Sequence, residues 1–330
     1  MKIVIVGIGA IGSRHMNNLL ELGHEIYAVD LNKDSLAKKS VSRAKAFTSL
    51  DEALEKKPDI AFICTYSNAH IGCAIQCAEA GCHLFIEKPL SCTLEGTQEL
   101  VEIIKKKKLI SMVGCNMRFH PALAHIQEVL STHPDFAKKL WANMEFGYYL
   151  PFAKPDYQSS YMAHKDMGGN LIFDSIHELD YAAWFLGEPL EVLCVKGILS
   201  GLKIDTQDCV DMIIRFKSNI VCTVHMDYLQ QGYTRRCKVV CEQGTIVWDF
   251  PFQKVGQVSV KDGKWDWKDM NVEIYYNQMY KDELKYFLEC VNSKRDSMNS
   301  VEGSLTALKL AIAADKSSCS GKWEKIGGQG

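Results

Sequence analysis

Charge of either sign is nearly absent as a net quantity. The 330 residues hold 38 Lys and Arg against 40 Asp and Glu, a formal net charge of -2. That balance offers no electrostatic grip on nucleic acid or on an anionic membrane. No apolar run approaches the roughly 18 residues that a membrane-spanning helix needs. There is no CxxC pair, no secretory signal and no internal repeat; the chain opens directly on the strand-like MKIVIVG. What is present is ordinary for a soluble globular protein: 47% hydrophobic residues, 24% charged, and a length that suits two domains with a sizeable core.

Cysteine is the exception to this scarcity, with 13 residues, an odd number. Cys64, Cys115, Cys209 and Cys222 lie in apolar runs, where Cys acts as a small hydrophobe. The reading is reduced thiols in a cytoplasm. Cys73 and Cys77 share a helix face but have no matching second pair, so core packing is expected and no metal site. The one basic run, Lys105–Lys108, falls where a helix should end, which suits the helix dipole. The closing GGQG reads as a frayed tail.

Strands and helices alternate up to about residue 115. β-rich runs stand at 2–6, 25–29, 60–64, 83–86 and 110–114, with helical patterns at about 12–22, 33–40, 50–56, 68–80 and 93–107. Near-continuous apolar strands separated by helices imply a parallel, doubly wound α/β sheet. A helix over 120–131 follows. After it come strand-like runs at 139–149, 190–199, 208–216, 219–229, 234–242, 245–249 and 255–260, then helices at about 276–292 and 301–318. This predicts two domains: 1–119, doubly wound, and 120–330, an α+β domain built on a mostly antiparallel open sheet with helices.

The first strand runs into Gly7-Ile8-Gly9-Ala10-Ile11-Gly12, a GxGxxG that opens a helix. Gly7 permits the tight turn, Gly9 lets the backbone approach a pyrophosphate, and Gly12 lets helix and strand pack closely. The amides around Ala10 and Ile11 lie at the helix N-terminus, where phosphate binds. Asp30 closes the second strand, 18 residues after Gly12. Its carboxylate accepts ribose hydroxyls and repels a 2′-phosphate, so NAD is expected over NADP. After the third long strand, Thr65, Asn68 and His70 are candidates to reach the cofactor, with Ser67 or Asn68 also a candidate helix cap. Glu87-Lys88-Pro89-Leu90 ends the next strand at the same edge; proline stops the strand and confines Lys88 to extended geometry. An ammonium held there can favour a developing alkoxide. An exposed lysine paired with Glu87 is the equal alternative.

Residues 168–189, GGNLIFDSIHELDYAAWFLGEP, pose a different question, because they place charge in what looks like a buried helix. On a wheel of 172–186, Ile172, Ile176, Leu179, Ala183 and Leu186 form the core face. Phe173, Asp174, His177, Asp180, Tyr181 and Trp184 fall opposite and suggest the floor of a pocket. Asp174 and His177 are neighbours at helical spacing. A carboxylate beside an imidazole suits a general base. Glu178 and Asp180 are assigned structural bonds to neighbouring loops. Asn116, Arg118, Tyr148, Tyr157, Tyr161, His164 and Lys165 are further candidates to line a site: aromatic faces suit sugar rings, and a cation suits phosphate or carboxylate.

In order, GIGAIGSRH, Asp30, TYSNAH, EKPL, NMRFHP, the 168–189 segment and SVEGSLTALKLAIAADKSSCSGKW resemble the glucose–fructose oxidoreductase / inositol dehydrogenase / MocA family over nearly the whole chain. Many members separate the Asp and His of the helix by three residues; here only two intervene, leaving open whether Asp174 meets His177 or substrate. The resemblance implies a Rossmann domain binding NAD(P) through Gly7, Gly9, Ala10, Ile11, Gly12, Asp30, Thr65, Asn68, His70, Glu87, Lys88 and Asn116. It implies an oxidoreductase acting on a sugar, cyclitol or nucleotide-sugar hydroxyl, as in carbohydrate or surface-polysaccharide metabolism. Lys88, Asp174 and His177 would be catalytic, and Arg118, Tyr148, Tyr161 and Lys165 would join them on substrate. No zinc mechanism, nucleic acid or membrane partner is expected, and the broad antiparallel sheet suits a homodimer or homotetramer. Two other readings stand beside it: redox chemistry that recycles a tightly held NAD, and a dinucleotide-binding regulator without turnover.

Overall fold

The apolar runs of the N-terminal third become strands because they are buried on both faces, leaving no polar alternation to reward. A computed structural model describes residues 1–37, 41, 43–270 and 276–327. The chain divides into two units: Met1–Asn116 with Asn277–Leu308, and Met117–Tyr276 with Lys309–Gly330.

In the first unit, β1 (Lys2–Val6), β2 (Glu25–Val29), β3 (Lys45–Phe47), β4 (Ile60–Ile63), β5 (His83–Glu87) and β6 (Ser111–Gly114) form a parallel sheet in the order β3-β2-β1-β4-β5-β6. Strand order reverses between β1 and β4, the switch point at which doubly wound sheets bind ligands. The helices of this unit's N-terminal segment are α1 (Ala10–Glu21), α2 (Lys33–Leu36), α3 (Leu50–Leu54), α4 (His70–Glu79) and α5 (Thr97–Lys107). Residues 38–40, expected to continue α2, lie outside the described residues, as does the 328–330 tail. Lys105, Lys106 and Lys107 occupy the last turn of α5, and Lys108 caps it in the left-handed region.

The second unit begins with α6 (Pro121–Thr132), whose start is set by His120. The His120 Nδ1 accepts the Ala122 N–H at 3.2 Å. Burial, helped by the Arg235 charge, pulls its pKa down to about 3 and keeps the ring an acceptor. Next come β7 (Lys139–Gly147), α7 (Leu150–Ala153), α8 (Leu171–Asp174) and α9 (His177–Leu186). The remaining strands are β8 (Pro189–Gly197), β9 (Cys209–Phe216), β10 (Val221–Asp227), β11 (Thr234–Cys241), β12 (Gly244–Asp249), β13 (Lys254–Ser259), β14 (Asp266–Asp269) and β15 (Glu324–Lys325). They form one sheet in the order β14-β13-β12-β11-β7-β10-β9-β8-β15, antiparallel except for β7 with β10. Alternate residues of β9 (Val210, Met212, Ile214, Phe216) are buried, and α8 and α9 pack on this sheet. The odd-numbered residues point to the other face, where Val195 and Ile213 are exposed.

α10 (Tyr276–Ser293) and α11 (Val301–Ser320) follow in sequence. Residues 277–308 belong to the first unit, not to the C-terminal domain in which the sequence reading placed them. The reason is side-chain packing. Phe287 meets Phe62 and Phe85, which stack on each other with ring centroids 4.6 Å apart. Lys281 pairs with Glu21 at 2.8 Å, and Asn277 bonds Asn18. The boundary expected at 119 falls at Asn116.

Candidate active site

The glycine loop of the first unit leaves room where a dinucleotide needs it. Gly7 sits at φ +92°, and a Cβ there would lie 2.6 Å from the Cys64 carbonyl. A Cβ on Gly12 would lie 1.9 Å from the Gly7 carbonyl, so helix and strand could not meet. Gly9 is different: nothing lies within 4 Å of its Cβ position, so the backbone is open to an approaching group. The first intrahelical bond runs from Ser13 N–H to the Gly9 carbonyl, leaving the amides of Ala10, Ile11 and Gly12 outside the ladder. Asp30 accepts Ile8 N–H through Oδ2 and Asn32 N–H through Oδ1, each at 2.8 Å. The carboxylate therefore secures the loop, and its remaining lone pairs suit ribose hydroxyls. These residues fit a bound dinucleotide.

The edge formed by the ends of β4 and β5 corrects part of the expected cofactor set. Thr65 is half-buried and Asn68 exposed, both on the loop after β4. His70 is 1% exposed, and its ring nitrogens face protein carbonyls, Nδ1 at 2.8 Å from Pro89 and Nε2 at 3.1 Å from Thr65. It braces two loops rather than touching cofactor. Burial lowers its pKa against the pull of those carbonyls. Glu87 is likewise committed: Oε1 lies 2.6 Å from His15 Nε2, and Oε2 accepts the Lys88 backbone N–H at 3.1 Å. Lys88 is half-buried and joins Pro89 through a cis peptide. Asn116 is buried at the start of a short turn, Asn116–Phe119.

In the second unit the 168–189 segment is not one helix. Asn170 caps α8, its Oδ1 accepting Ile172 N–H at 3.0 Å and its Nδ2 donating to Asp315 at 3.0 Å. Ser175 then leaves the helical region (ψ 31°), and α9 starts afresh at His177. The continuous wheel therefore fails beyond Asp174. Asp180, Tyr181 and Phe173, expected on the pocket floor, are buried, and Ala183, expected in the core, is half-buried. Asp174, His177 and Trp184 are the half-buried members of the expected pocket face.

The carboxylates of α9 are accounted for by arginines. Glu178 accepts from Arg235 Nε at 2.7 Å and from Tyr181 Oη at 3.1 Å. Asp180 holds Arg118 in a two-pronged pair, with both contacts at 2.8 Å, and the guanidinium lies over the Trp184 ring. Arg118, expected on substrate, is thus paired with the helix; its planar fork matches a carboxylate. Lys165 is exposed, and what fixes it is its backbone N–H, which donates to Asp205 at 2.7 Å. Tyr157 is buried, and His164 Nε2 lies 2.6 Å from the Gln158 carbonyl.

Asp174 is held by two phenols. The Tyr161 phenol donates to its Oδ1 at 2.9 Å, and the Tyr228 phenol to its Oδ2 at 3.2 Å. Tyr148 packs edge-on to Tyr228, and its phenol pKa is raised by burial and then by the Asp174 charge. A ring of three tyrosines thus surrounds one carboxylate, with His177 opening the next helix. Gly169 makes this possible: a Cβ there would lie 2.3 Å from the Tyr161 carbonyl. Tyr228 was not foreseen, since it comes from the end of β10, 54 residues away in sequence, and no local pattern marks it. His15 was also missed, although an imidazole one turn above Gly12 on an apolar helix is a visible signal. Away from these residues, His225 bridges Asp211 (2.9 Å) and Asp227 (2.8 Å) on the open face of the sheet. Cys209, Asp211 and His225 form one cluster of potential metal-ligand groups among the described residues; His164, Asp166 and Asp205 form another.

Residues 1–115 match the family model described as oxidoreductase family, NAD-binding Rossmann fold. Residues 138–247 match the GFO/IDH/MocA C-terminal domain. The chain belongs to the GFO/IDH/MocA oxidoreductase family. A myo-inositol 2-dehydrogenase of Thermotoga maritima is 28% identical over 96% of this chain and 96% of its own length. A scyllo-inositol 2-dehydrogenase (NAD(+)) of Bacillus subtilis is 26% identical over 96% of this chain and 94% of its own. In fold, the chain matches a levoglucosan dehydrogenase solved with NADH, with a TM-score of 0.87 at 18% identity over 99% of both chains. The family assignment carries an NAD-binding Rossmann domain and oxidoreductase activity. No described helix is long and apolar enough to cross a membrane.

Proposed function

We propose that the protein is an NAD-dependent dehydrogenase that exchanges hydride with a secondary hydroxyl of a cyclitol, sugar or nucleotide sugar. The observation that carries the reading is the tyrosine-ringed Asp174 followed at once by half-buried His177. Bound NAD supplies the hydride acceptor. His177 takes the hydroxyl proton as the carbinol carbon loses its hydride, and returns it in the reverse direction. Asp174, its oxygens directed by the Tyr161 and Tyr228 phenols, accepts a neighbouring substrate hydroxyl or orients His177. Lys88 is assigned a hydrogen bond to the reacting oxygen, which favours the developing alkoxide. The Asp30 carboxylate disfavours the 2′-phosphate of NADP. Tyr148 and Lys165 complete the substrate-facing assignments.

The inositol dehydrogenases among the relatives support a polyhydroxylated ring as substrate. The exposed Val195 and Ile213 on the open sheet face support self-association as a homodimer or homotetramer. The many buried thiols suit a reducing cytoplasm. Incubation with NAD and a panel of inositols, sugars and nucleotide sugars, followed by reduced-nicotinamide absorbance, tests the reading. At least one compound of this class is expected to be oxidised, and turnover in His177→Ala to fall by at least about tenfold, given the usual acid–base contribution of about 10²–10⁴. Tight NAD binding without turnover of any compound would reject it.

A further inference from the structure

The reading above gives Lys88 a task but leaves open what holds it in place. Lys88 follows the last residue of β5, and no regular element continues through it. Two hydrogen-bonded links end at this turn, one on the Lys88 N–H and one on the adjoining Pro89 carbonyl. In the first, Glu87 places Oε2 on the Lys88 N–H at 3.1 Å and Oε1 at 2.6 Å from His15 Nε2. In the second, His70 Nδ1 lies 2.8 Å from the Pro89 carbonyl while its Nε2 faces the Thr65 carbonyl at 3.1 Å. All of these groups except the Thr65 carbonyl belong to residues less than a tenth exposed or to Lys88 itself.

His15 has no other evident duty. It is fully buried on α1, against Phe62, Phe85 and Tyr280. Its Nδ1 is buried without a hydrogen-bond partner among the described residues. A ring that served only packing would be replaced by an apolar side chain without loss, because it leaves a polar nitrogen unsatisfied. A proton on Nε2 donated to Glu87 puts the ring's one strong bond on the carboxylate and leaves only a lone pair at Nδ1. Glu87 in turn can hold the Lys88 N–H only while its carboxylate plane is fixed, and His15 is the group that fixes the second oxygen.

We propose that His15 is a positioning residue for Lys88. It acts through the Glu87 carboxylate, while His70 braces the adjoining Pro89 carbonyl. The glycine-loop helix and the loop after β4 are thereby both tied to the Lys88 turn. The proposal rests on the reading that Lys88 serves the hydroxyl oxidation, so its test carries a readout that does not depend on turnover.

The test compares wild type, His15→Leu and Glu87→Gln, with and without Lys88→Ala, using myo-inositol and NAD as probes. Glu87→Gln keeps the shape but turns one oxygen into a donor that faces either the His15 or the Lys88 N–H. Each lysine's rate of acetylation by acetic anhydride is read by peptide mass spectrometry, and NAD affinity by calorimetry. His15→Leu is expected to raise the Lys88 rate relative to Lys105, with NAD affinity retained. It should lower kcat by about tenfold or more with a smaller change in KM, as a misplacement of about 1 Å can cost 10². In the Lys88→Ala background it should lower kcat no further. An unchanged Lys88 acetylation rate in a folded, NAD-binding His15→Leu protein overturns the proposal. If that variant does not fold, the same rate in Glu87→Gln decides it. Full turnover in Lys88→Ala alone would instead reject the role given to Lys88, while the acetylation rates would still show whether His15 positions it.

Discussion

At the scale of single residues, Asp174 is fixed by two phenols that direct its two oxygens. Removing one phenol leaves a partly buried carboxylate short of a hydrogen bond, which costs about 1–3 kcal/mol. Tyr228→Phe is therefore expected to lower the denaturation midpoint and kcat/KM, measured by urea unfolding and steady-state assay, with NAD affinity unchanged. Gly12 makes a sharper prediction in the first unit. A methyl group there would meet the Gly7 carbonyl at 1.9 Å, and nothing soft stands in between. Gly12→Ala should abolish NAD binding by calorimetry, whereas Gly9→Ala, with open space around it, should fold normally. The placement of the glycine loop, Asp30 and Lys88 directly after strands could be read in the sequence, because strand and turn signals mark those positions. Tyr228 could not, since its partner lies across a tertiary contact. The strand end makes His70 a cofactor candidate, and the family resemblance adds Glu87. The sequence does not say that protein groups already occupy their polar atoms.

At the scale of elements, the segment that mixes charge with apolar residues is resolved by partners on other elements. The buried Glu178–Arg235 pair ties α9 to β11, and Asp180–Arg118 ties it to the 116–119 turn. Breaking a buried pair from one side leaves an uncompensated charge, at a cost of about 3–5 kcal/mol. Glu178→Ala should show that loss in denaturant unfolding, while Glu178→Ala with Arg235→Met should recover part of it. Wheel reasoning found the helix but not its break, because Ser175 carries no breaker signal. Short edge strands were missed for a related reason: β14 is exposed at every residue and shows no alternation.

A second element-scale prediction concerns β9 and β10. The hydrogen bond to Asp227 and the nearby Asp211 raise the His225 pKa to about 9, against the effect of burial. The folded state therefore binds this proton more tightly than the unfolded chain. The stabilisation is complete below the ordinary imidazole value of about 6.5 and is lost as pH rises through about 9. Asp227 is lowered despite its burial, by bonds from His225, Gln230 and Leu229, so the arrangement also weakens in acid. His225→Gln should destabilise the protein near neutral pH and match wild type above about pH 10, as followed by thermal unfolding across pH.

At the scale of the whole molecule, the alternation of strands and helices, the parallel doubly wound sheet and the mostly antiparallel second sheet were all predictable. Their hydrophobic periods are long and regular. The return of residues 277–308 to the first unit was not, because a helical period does not name the sheet that its apolar face will cover. If the chain binds NAD in its folded state alone, saturating NAD must raise the unfolding free energy, by about 2.7 kcal/mol at a hundredfold excess over Kd. The central claim is that a carbon-bound hydrogen of a polyhydroxylated substrate passes to the nicotinamide while His177 removes the hydroxyl proton. The most direct measurement uses a cyclitol or sugar that the wild type oxidises, deuterated at the reacting carbon, with mass spectrometry of the recovered nicotinamide. The account predicts one deuterium on the nicotinamide ring per turnover, and at least about tenfold slower transfer in His177→Ala. Deuterium appearing in solvent instead, or transfer at the wild-type rate in His177→Ala, would contradict it.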